Sequence, residues 1–232
     1  VQRRRSLPTL LAVLTGLATL GMAGPAPRAQ GRATPLIEAA ARGDLSAVQR
    51  ALAASGKPAL EARDGSGRTA LLAATQGGHT AVALWLIERG ADVNAQDSIE
   101  DSPFLLAGAR GLTDIVRAAL PRADPRILNR YGGTALIPAC HYGHAETVKV
   151  LLEWKGNNRV AVDHVNRLGW TALLEAVILG DGAQPHTEIV RLLIAHGANV
   201  NLADREGVTP LAHAQRRQQT AVAALLLQAG AR

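Results

Sequence analysis

Cysteine is almost missing from this chain. Its one thiol, Cys140, excludes an intramolecular disulfide framework and any zinc site built from several cysteines. Aromatic side chains are scarce too, six in 232 residues. The core must therefore be built from Ala, Leu, Val and Ile, which suits small helices packed closely together. Beyond the first 29 residues no stretch approaches the ~18 uninterrupted apolar residues of a membrane span. Acids are missing from residues 1–29, which hold Arg3, Arg4, Arg5 and Arg28. Without that segment 21 Lys+Arg face 19 Asp+Glu, so the formal charge of +6 falls to +2. A strongly basic nucleic-acid binder is excluded on that balance. What is abundant is apolar: 47% hydrophobic residues is too many for a disordered chain.

The N-terminal segment is expected to be an export signal. Arg3-Arg4-Arg5 forms a short cationic region, Leu7–Ala23 a weakly apolar run broken by Pro8, and Gly21-Met22-Ala23 opens a stretch of small residues reaching Ala29. The expected organisation is a signal over 1–29, cleaved between about 23 and 30, a linker over 30–33 and one folded domain over 34–232. Arg-Arg-Arg-Ser-Leu resembles twin-arginine signals, so both Sec-type and twin-arginine export fit. The expected location is the periplasm of a bacterium, or secretion. An uncleaved anchor is the alternative; once the signal is removed no stable membrane span is expected.

Self-comparison of the remainder reveals six repeats. When Thr34, Thr69, Ser102, Thr134, Thr171 and Thr209 are aligned, Leu36, Leu71, Phe104, Leu136, Leu173 and Leu211 stand two residues on. Ala39, Ala74, Ala107, Ala139, Ala176 and Ala214 stand five residues on, without exception. Gly43, Gly78, Gly111, Gly143 and Gly180 stand nine on, with Gln218 departing. The spacings are 35, 33, 32, 37 and 38 residues. Thr or Ser is expected to cap a first helix, with Pro35, Pro103 and Pro210 at its first position. The alanine must face a neighbouring helix too closely for a larger side chain, and the glycine ends the helix in left-handed backbone. Apolar spacing such as Ile115-Val116-Ala119-Leu120 then marks a second helix.

Residues 78–95, Gly-His-Thr-Ala-Val-Ala-Leu-Trp-Leu-Ile-Glu-Arg-Gly-Ala-Asp-Val-Asn-Ala, and 197–211 resemble ankyrin repeats. The resemblance covers about 34–232 and implies an all-α solenoid of six helix-turn-helix units with β-turn fingers. It also implies a non-enzymatic protein-interaction module of the small exported bacterial type. Three departures stand out. The histidine of the family's Thr-Pro-Leu-His is replaced by Ile37, Leu72, Leu105, Ile137, Leu174 and Ala212, so apolar packing is expected in place of its inter-repeat polar network. Extra residues fall at Asn157–Val162 and Asp181–Pro185, where loops can carry function or simply drift. The sixth unit, with Gln215-Arg216-Arg217-Gln218-Gln219, has the polar face of a terminal cap.

A search for chemistry finds none, and neither cofactor nor metal is expected. His141-x-x-His144 beside Cys140 suggests a metal, but zinc needs three or four convergent ligands. The resemblance instead places His79, His144 and, after the insertion, His186 at the family's Gly-His position. Cys140 falls where Ala usually packs. Glu38 and Glu175 share one helix position four repeats apart, too distant for a carboxylate pair, and are expected to be solvated or capping. Trp85 is expected in the core. No nucleophile elbow, P-loop or dinucleotide fingerprint occurs.

The resemblance implies contacts at the turn tips and inner helices. Carried onto this chain, these positions give Arg110 in the third unit, Arg130, Tyr131, His141 and Tyr142 in the fourth, and Arg167, Leu168 and Trp170 in the fifth. The same positions across the array hold three of the six aromatics and eight arginines against two acids. Aromatics and arginine dominate interface hot spots. The expected partner is a protein with an acidic patch around an apolar centre, bound by a monomer. Two alternatives are an immunity or inhibitor protein against a periplasm-targeted toxin and, from another class, an enzyme site in the fifth-unit insertion. The export reading predicts a mature chain that starts between Gly24 and Gly31 and is released by osmotic shock. N-terminal sequencing that found Val1 intact on soluble cytoplasmic protein would overturn it.

Overall fold

The computed structural model describes residues 33–232, so the expected signal and its cleavage region lie outside the described residues. Twelve α-helices follow one another in six pairs: α1 (Pro35–Arg42) and α2 (Leu45–Ser55), α3 (Ala70–Gly77) and α4 (Thr80–Glu88), α5 (Pro103–Ala109) and α6 (Thr113–Ala119), α7 (Leu136–His141) and α8 (Ala145–Glu153), α9 (Ala172–Leu179) and α10 (Gln184–Ala195), α11 (Pro210–Arg216) and α12 (Thr220–Gln228). No strand occurs among the described residues. Each odd-numbered helix packs on the next odd-numbered one, and each even-numbered helix on the next even-numbered one. The result is a two-layer stack with an inner row and an outer row. Its core is the aligned apolar pattern: Leu36, Leu71, Phe104, Leu136, Leu173 and the six alanines Ala39, Ala74, Ala107, Ala139, Ala176 and Ala214 are all buried.

The caps form as expected in five units. The Thr or Ser side chain accepts from the backbone N–H three residues on, at 3.2–3.3 Å in each case. Unit four is the exception, and Pro138 is the reason. In the other five units the residue four beyond the cap donates its N–H to the cap carbonyl, as Ala73 does to Thr69 at 2.9 Å. Pro138 has no N–H to give. The helix therefore starts only at Leu136, with Ala135 at the cap position, and the buried Thr134 hydroxyl has no partner.

The glycine column answers to two constraints at once. Gly43, Gly78, Gly111 and Gly143 are left-handed, as expected, and Gln218 adopts the same conformation at φ 58° without being glycine. The second constraint comes from the next unit: a Cβ on Gly43 would lie 2.5 Å from the His79 ring, and one on Gly111 2.6 Å from His144. Those histidines sit so close because they reach back. His79 Nε2 donates to the Ala41 carbonyl at 3.0 Å, His186 Nε2 to that of His141 at 3.0 Å, and in unit six Gln219 donates to Val177 and Gly180. This corrects the expectation that apolar packing alone replaces the inter-repeat polar network. Apolar residues do bury at Ile37, Leu72, Leu105, Ile137 and Leu174, but the polar links persist from the starts of the outer helices.

Both insertions are absorbed into the scaffold. Trp154 donates its indole N–H to Asn158, whose amide donates to the carbonyls of Leu120 and Ala123 at 2.6 and 2.7 Å, pinning residues 157–162 to unit three. The second insertion lengthens α10 to twelve residues. Gly180 is consequently extended (φ −70°, ψ 157°), and the left-handed turn moves to Gly182. Trp85 is half-buried rather than fully in the core, with the Arg89 guanidinium 3.8 Å over its ring.

The unpartnered hydroxyl yields a paired prediction. Thr69→Val removes a cap bond and is expected to cost about 1 kcal/mol. Thr134→Val removes only a buried, unsatisfied hydroxyl and is expected to leave stability unchanged or raise it by about 1 kcal/mol. Denaturation midpoints of the two variants check the contrast.

Candidate functional site

The fingers between units are built on one residue type. Asp64, Asp97, Asn129, Asn166 and Asp204 each stand five residues before a cap, and in each the side-chain oxygen Oδ1 accepts the N–H groups two and four residues on, at 2.9–3.0 Å. The same residues close the finger through the backbone, as Asn129 N–H does to Gly133 O and Asn166 N–H to Trp170 O, both 3.0 Å. Asp and Asn favour such turns because the short side chain mimics a backbone acceptor. Each tip is thus held rigidly. The turn needs left-handed backbone three residues after the Asx, supplied by Gly67, Gly132, Gly169 and Gly207. Finger three places Glu100 there, at φ 63°.

The residue at the tip differs along the stack. The outer fingers present Ser66 and Glu206; the three central ones present Ile99, Tyr131 and Leu168, which are 51%, 44% and 50% exposed. Tyr131 and Leu168 belong to the residues expected to bind a partner. Tyr142 is 53% exposed at the end of α7 and stacks flat on His141, with centroids 4.3 Å apart. Trp170 is half-buried. The ring pairs on this face are His141–Tyr142 and Tyr142–His144, and Trp170 belongs to neither.

The arginines turn out to have a structural share. Arg110 donates to the Gln76 carbonyl of unit two. Arg130 reaches back to the Ile99 carbonyl and to Asp101 Oδ2, 3.3 Å away, and its guanidinium lies 5.2 Å over the Tyr131 ring. Arg167 donates to the Arg130 carbonyl at 2.6 Å and stands 3.9 Å from Glu100. Each of these arginines stitches its own unit to the one before. The stitch uses part of the guanidinium: the Arg130 and Arg167 side chains remain 43% and 67% exposed, and a guanidinium offers five donors.

One residue of the site runs against expectation. Glu38 is exposed, but Glu175 is only 5% exposed and is neither solvated nor a cap. Its Oε1 accepts from the Asn166 amide at 2.9 Å, while Oε2 has no hydrogen-bond partner and lies 3.5 Å from His141 Nδ1. Burial pushes its pKa up to about 7, against the favourable Asn166 contact. Burial and His186 lower that of His141, and burial, assisted by the Glu175 charge, drives the fully buried Cys140 thiol up. A thiol so placed is inert. Unit six has a parallel in Asp204 and His213, 2.7 Å apart. The signal for burial was present in α9, where Glu175 is the lone polar residue of Ala-Leu-Leu-Glu-Ala-Val-Ile-Leu.

Among the described residues no group of three His, Cys, Asp or Glu side chains could hold a metal ion, and no helix is long and apolar enough to cross a membrane. What the face offers is a rigid row of apolar tips, stacked rings and partly free guanidinium groups. The family model for ankyrin repeats matches residues 11–97, 104–184 and 161–232. The chain belongs to the ankyrin-repeat family. Ankyrin repeats are protein–protein interaction modules. The chain is 38% identical over 194 residues to the ankyrin repeat protein YahD of Escherichia coli K12, covering 83% of this chain and 94% of that one. It is 51% identical to an ankyrin repeat domain, ABAYE2397, from Acinetobacter baumannii AYE, with a TM-score of 0.79 over 85% of this chain and 98% of that one. The ankyrin repeat domain of Bcl-3, a member of the IkappaB protein family, matches at 28% identity and a TM-score of 0.75, over 87% of this chain and 88% of that one.

The buried carboxyl makes stability pH-dependent. Glu175 in the folded chain holds its proton up to about pH 7, whereas an ordinary glutamate carboxyl releases it at 4.5. The folded state thus binds more protons between these values, and stability falls as pH rises through that window, by roughly 3 kcal/mol at most. Glu175→Gln is expected to abolish this fall. Unfolding curves should show the variant near wild type at pH 4.5 and more stable than wild type at pH 8.

Proposed function

We propose that this ankyrin-repeat protein is an exported, non-enzymatic, monomeric module that binds another protein through the face shared by its fingers and inner helices, the concave face of such arrays. Units three to five carry the contact, and the partner offers an acidic patch around an apolar centre. One observation supports this most strongly: three adjacent fingers, each closed by its own hydrogen bonds, expose Ile99, Tyr131 and Leu168 at a single turn position. A rigid apolar row of that kind has no role in the stack's own core. Arg130 and Arg167 flank it with part of each guanidinium exposed, beside Asp101 and Glu100, and Tyr142 adds an exposed ring at the end of α7. The N-terminal arginines and apolar run support export to the periplasm or outside the cell.

Partner capture from a periplasmic extract, using a tag at the C-terminus, tests both parts of the proposal. Against the captured partner, Tyr131→Ala and Trp170→Ala are each expected to weaken binding by about 2 kcal/mol, roughly 30-fold. Arg130→Ala is expected to act mainly on association rate and its salt dependence. Glu153→Ala, an exposed change at the end of α8, should have no effect. Affinity indifferent to Tyr131, Trp170 and Tyr142 together would remove this face from the binding site.

A further inference from the structure

Resting on the reading that this face binds a protein, we propose that a proton on Glu175 decides whether His141 offers the partner a hydrogen-bond donor or an acceptor. That contact is thereby switched by pH.

Glu175 has one oxygen whose role is fixed and one whose role is not. Asn166 Oδ1 is committed to the N–H groups of Leu168 and Trp170 at 2.9 and 3.0 Å, so its amide can turn only the NH2 toward Glu175. Oε1, 2.9 Å from that NH2, therefore accepts in either protonation state. A proton on the carboxyl must sit on Oε2. That atom is buried without a partner and lies 3.5 Å from His141 Nδ1, about 0.3 Å beyond the usual bonding range. A small turn of the imidazole closes the gap. When Oε2 is ionised it accepts, so His141 carries its proton on Nδ1 and leaves Nε2 bare. When Oε2 is protonated it donates to a bare Nδ1, and the imidazole proton stands on Nε2. Passing from the first state to the second takes one proton from water, and the imidazole gives up a proton at Nδ1 while gaining one at Nε2. With Nδ1 turned inward, the 37% of the His141 side chain that is exposed lies on the Nε2 side. Stacking on Tyr142 holds the ring in that attitude.

No other histidine is placed this way. His79, His144, His164, His186 and His196 each meet a backbone carbonyl, which can only accept. His213 meets Asp204, whose carboxyl, despite burial, is held below the usual range by the Val208 N–H, by His213 and by the Glu206 N–H. It too stays an acceptor. Burial does the reverse at Glu175, raising it to about 7 against the Asn166 bond, while burial and the neighbouring His186 lower His141. The proton of the pair thus rests on the carboxyl, because a neutral pair avoids two desolvated charges. The helices packed on α9 are α7, α10 and α11. On α7 the only ionisable group besides His141 is Cys140, which burial keeps protonated. On α10, His186 is tied to Asp181 and Glu188 to Arg191. On α11, His213 is tied to Asp204, and Arg216 is exposed. In the adjoining finger Arg167 stands by Glu100. His141 is what remains to answer Glu175.

Nitrogen-15 NMR of the histidine rings in the full chain reads the switch without any partner, since a protonated ring nitrogen resonates far from a bare one. Between about pH 6 and about pH 8, His141 is expected to pass from the Nε2–H to the Nδ1–H form, with its midpoint near 7. Glu175→Gln should lock the acid form. Its amide oxygen must take the Asn166 bond, so its NH2 faces Nδ1 and keeps the proton on Nε2 at every pH. The neutral tautomer of His164, bound to the Gly132 carbonyl, should not change in either protein. Affinity for the protein captured by the tagged chain is expected to change roughly tenfold over the same range, as one matched hydrogen bond becomes a mismatch. Glu175→Gln should keep the wild-type affinity of the acid side throughout. A single His141 form in the wild type, or a variant that still switches, would overturn the inference. A switch seen by NMR with an affinity that ignores pH would overturn it as well. The Tyr131 and Trp170 variants then decide separately whether the binding face stands.

Discussion

The close approach of each unit to the next is the constraint on which everything else in this molecule depends. It is visible at the alanine column, where six alanines are buried between helices of successive units. It is visible again where His79 lies over Gly43 and His144 over Gly111, at distances that leave no room for a Cβ. Helices of six to twelve residues are too short to be stable alone. Each borrows its stability from the neighbouring unit, so the array behaves as a sum of unit and interface terms. The inter-unit bonds from His79, His186, Gln219 and the arginines work at the same seam.

Because the seam is rigid, the fingers above it are rigid too. An Asx side chain with two backbone donors, plus one backbone closure, holds every tip, and two neighbouring pairs of fingers are bonded through the backbone, Ser98 to Ser66 and Arg167 to Tyr131. Side chains displayed there are pre-organised, which lowers the entropy that binding must overcome. That arrangement explains how three exposed apolar residues can act as one surface although 32 and 37 residues separate them in sequence. It also tolerates local cost. Glu100 occupies a left-handed position that suits glycine, and Glu175 is a carboxyl buried beneath the stacked His141 and Tyr142 pair.

Insertions in repeat proteins invite functional readings, yet here both are explained by packing. Asn158 satisfies two carbonyls of unit three, and residues 181–185 are spent on an extra turn of α10 and a displaced left-handed glycine. The arginine excess is explained in part the same way, since Arg110, Arg130 and Arg167 each serve a carbonyl of the preceding unit. The apolar tips are different: the side chains of Ile99, Tyr131 and Leu168 stay about half exposed, although the backbone of Ile99 and Tyr131 is bonded and Arg130 lies over the Tyr131 ring.

The sequence by itself determined the repeat, the two-helix unit, five of the six caps and the all-α fold. Each of those rests on residues a few positions apart, whose periodicity and local hydrogen bonding are written in order along the chain. It also marked Tyr131, Tyr142 and Leu168 as surface residues through their place beside the Asx and the turn glycine. What it left open depends on contacts between units. Pro138 disabling the Thr134 cap was legible in principle, because the missing N–H is local. The burial of Glu175 was legible too, from its apolar helix, but its surroundings were not, since its partner Asn166 and its neighbour His141 arrive from the finger and the preceding unit. The same holds for histidines that reach back to carbonyls about 38 or 45 residues earlier, and for arginines divided between stitching and display. Only stacking the units brings these groups within bonding distance, and only then does one glutamate become solvated and its repeat-mate buried.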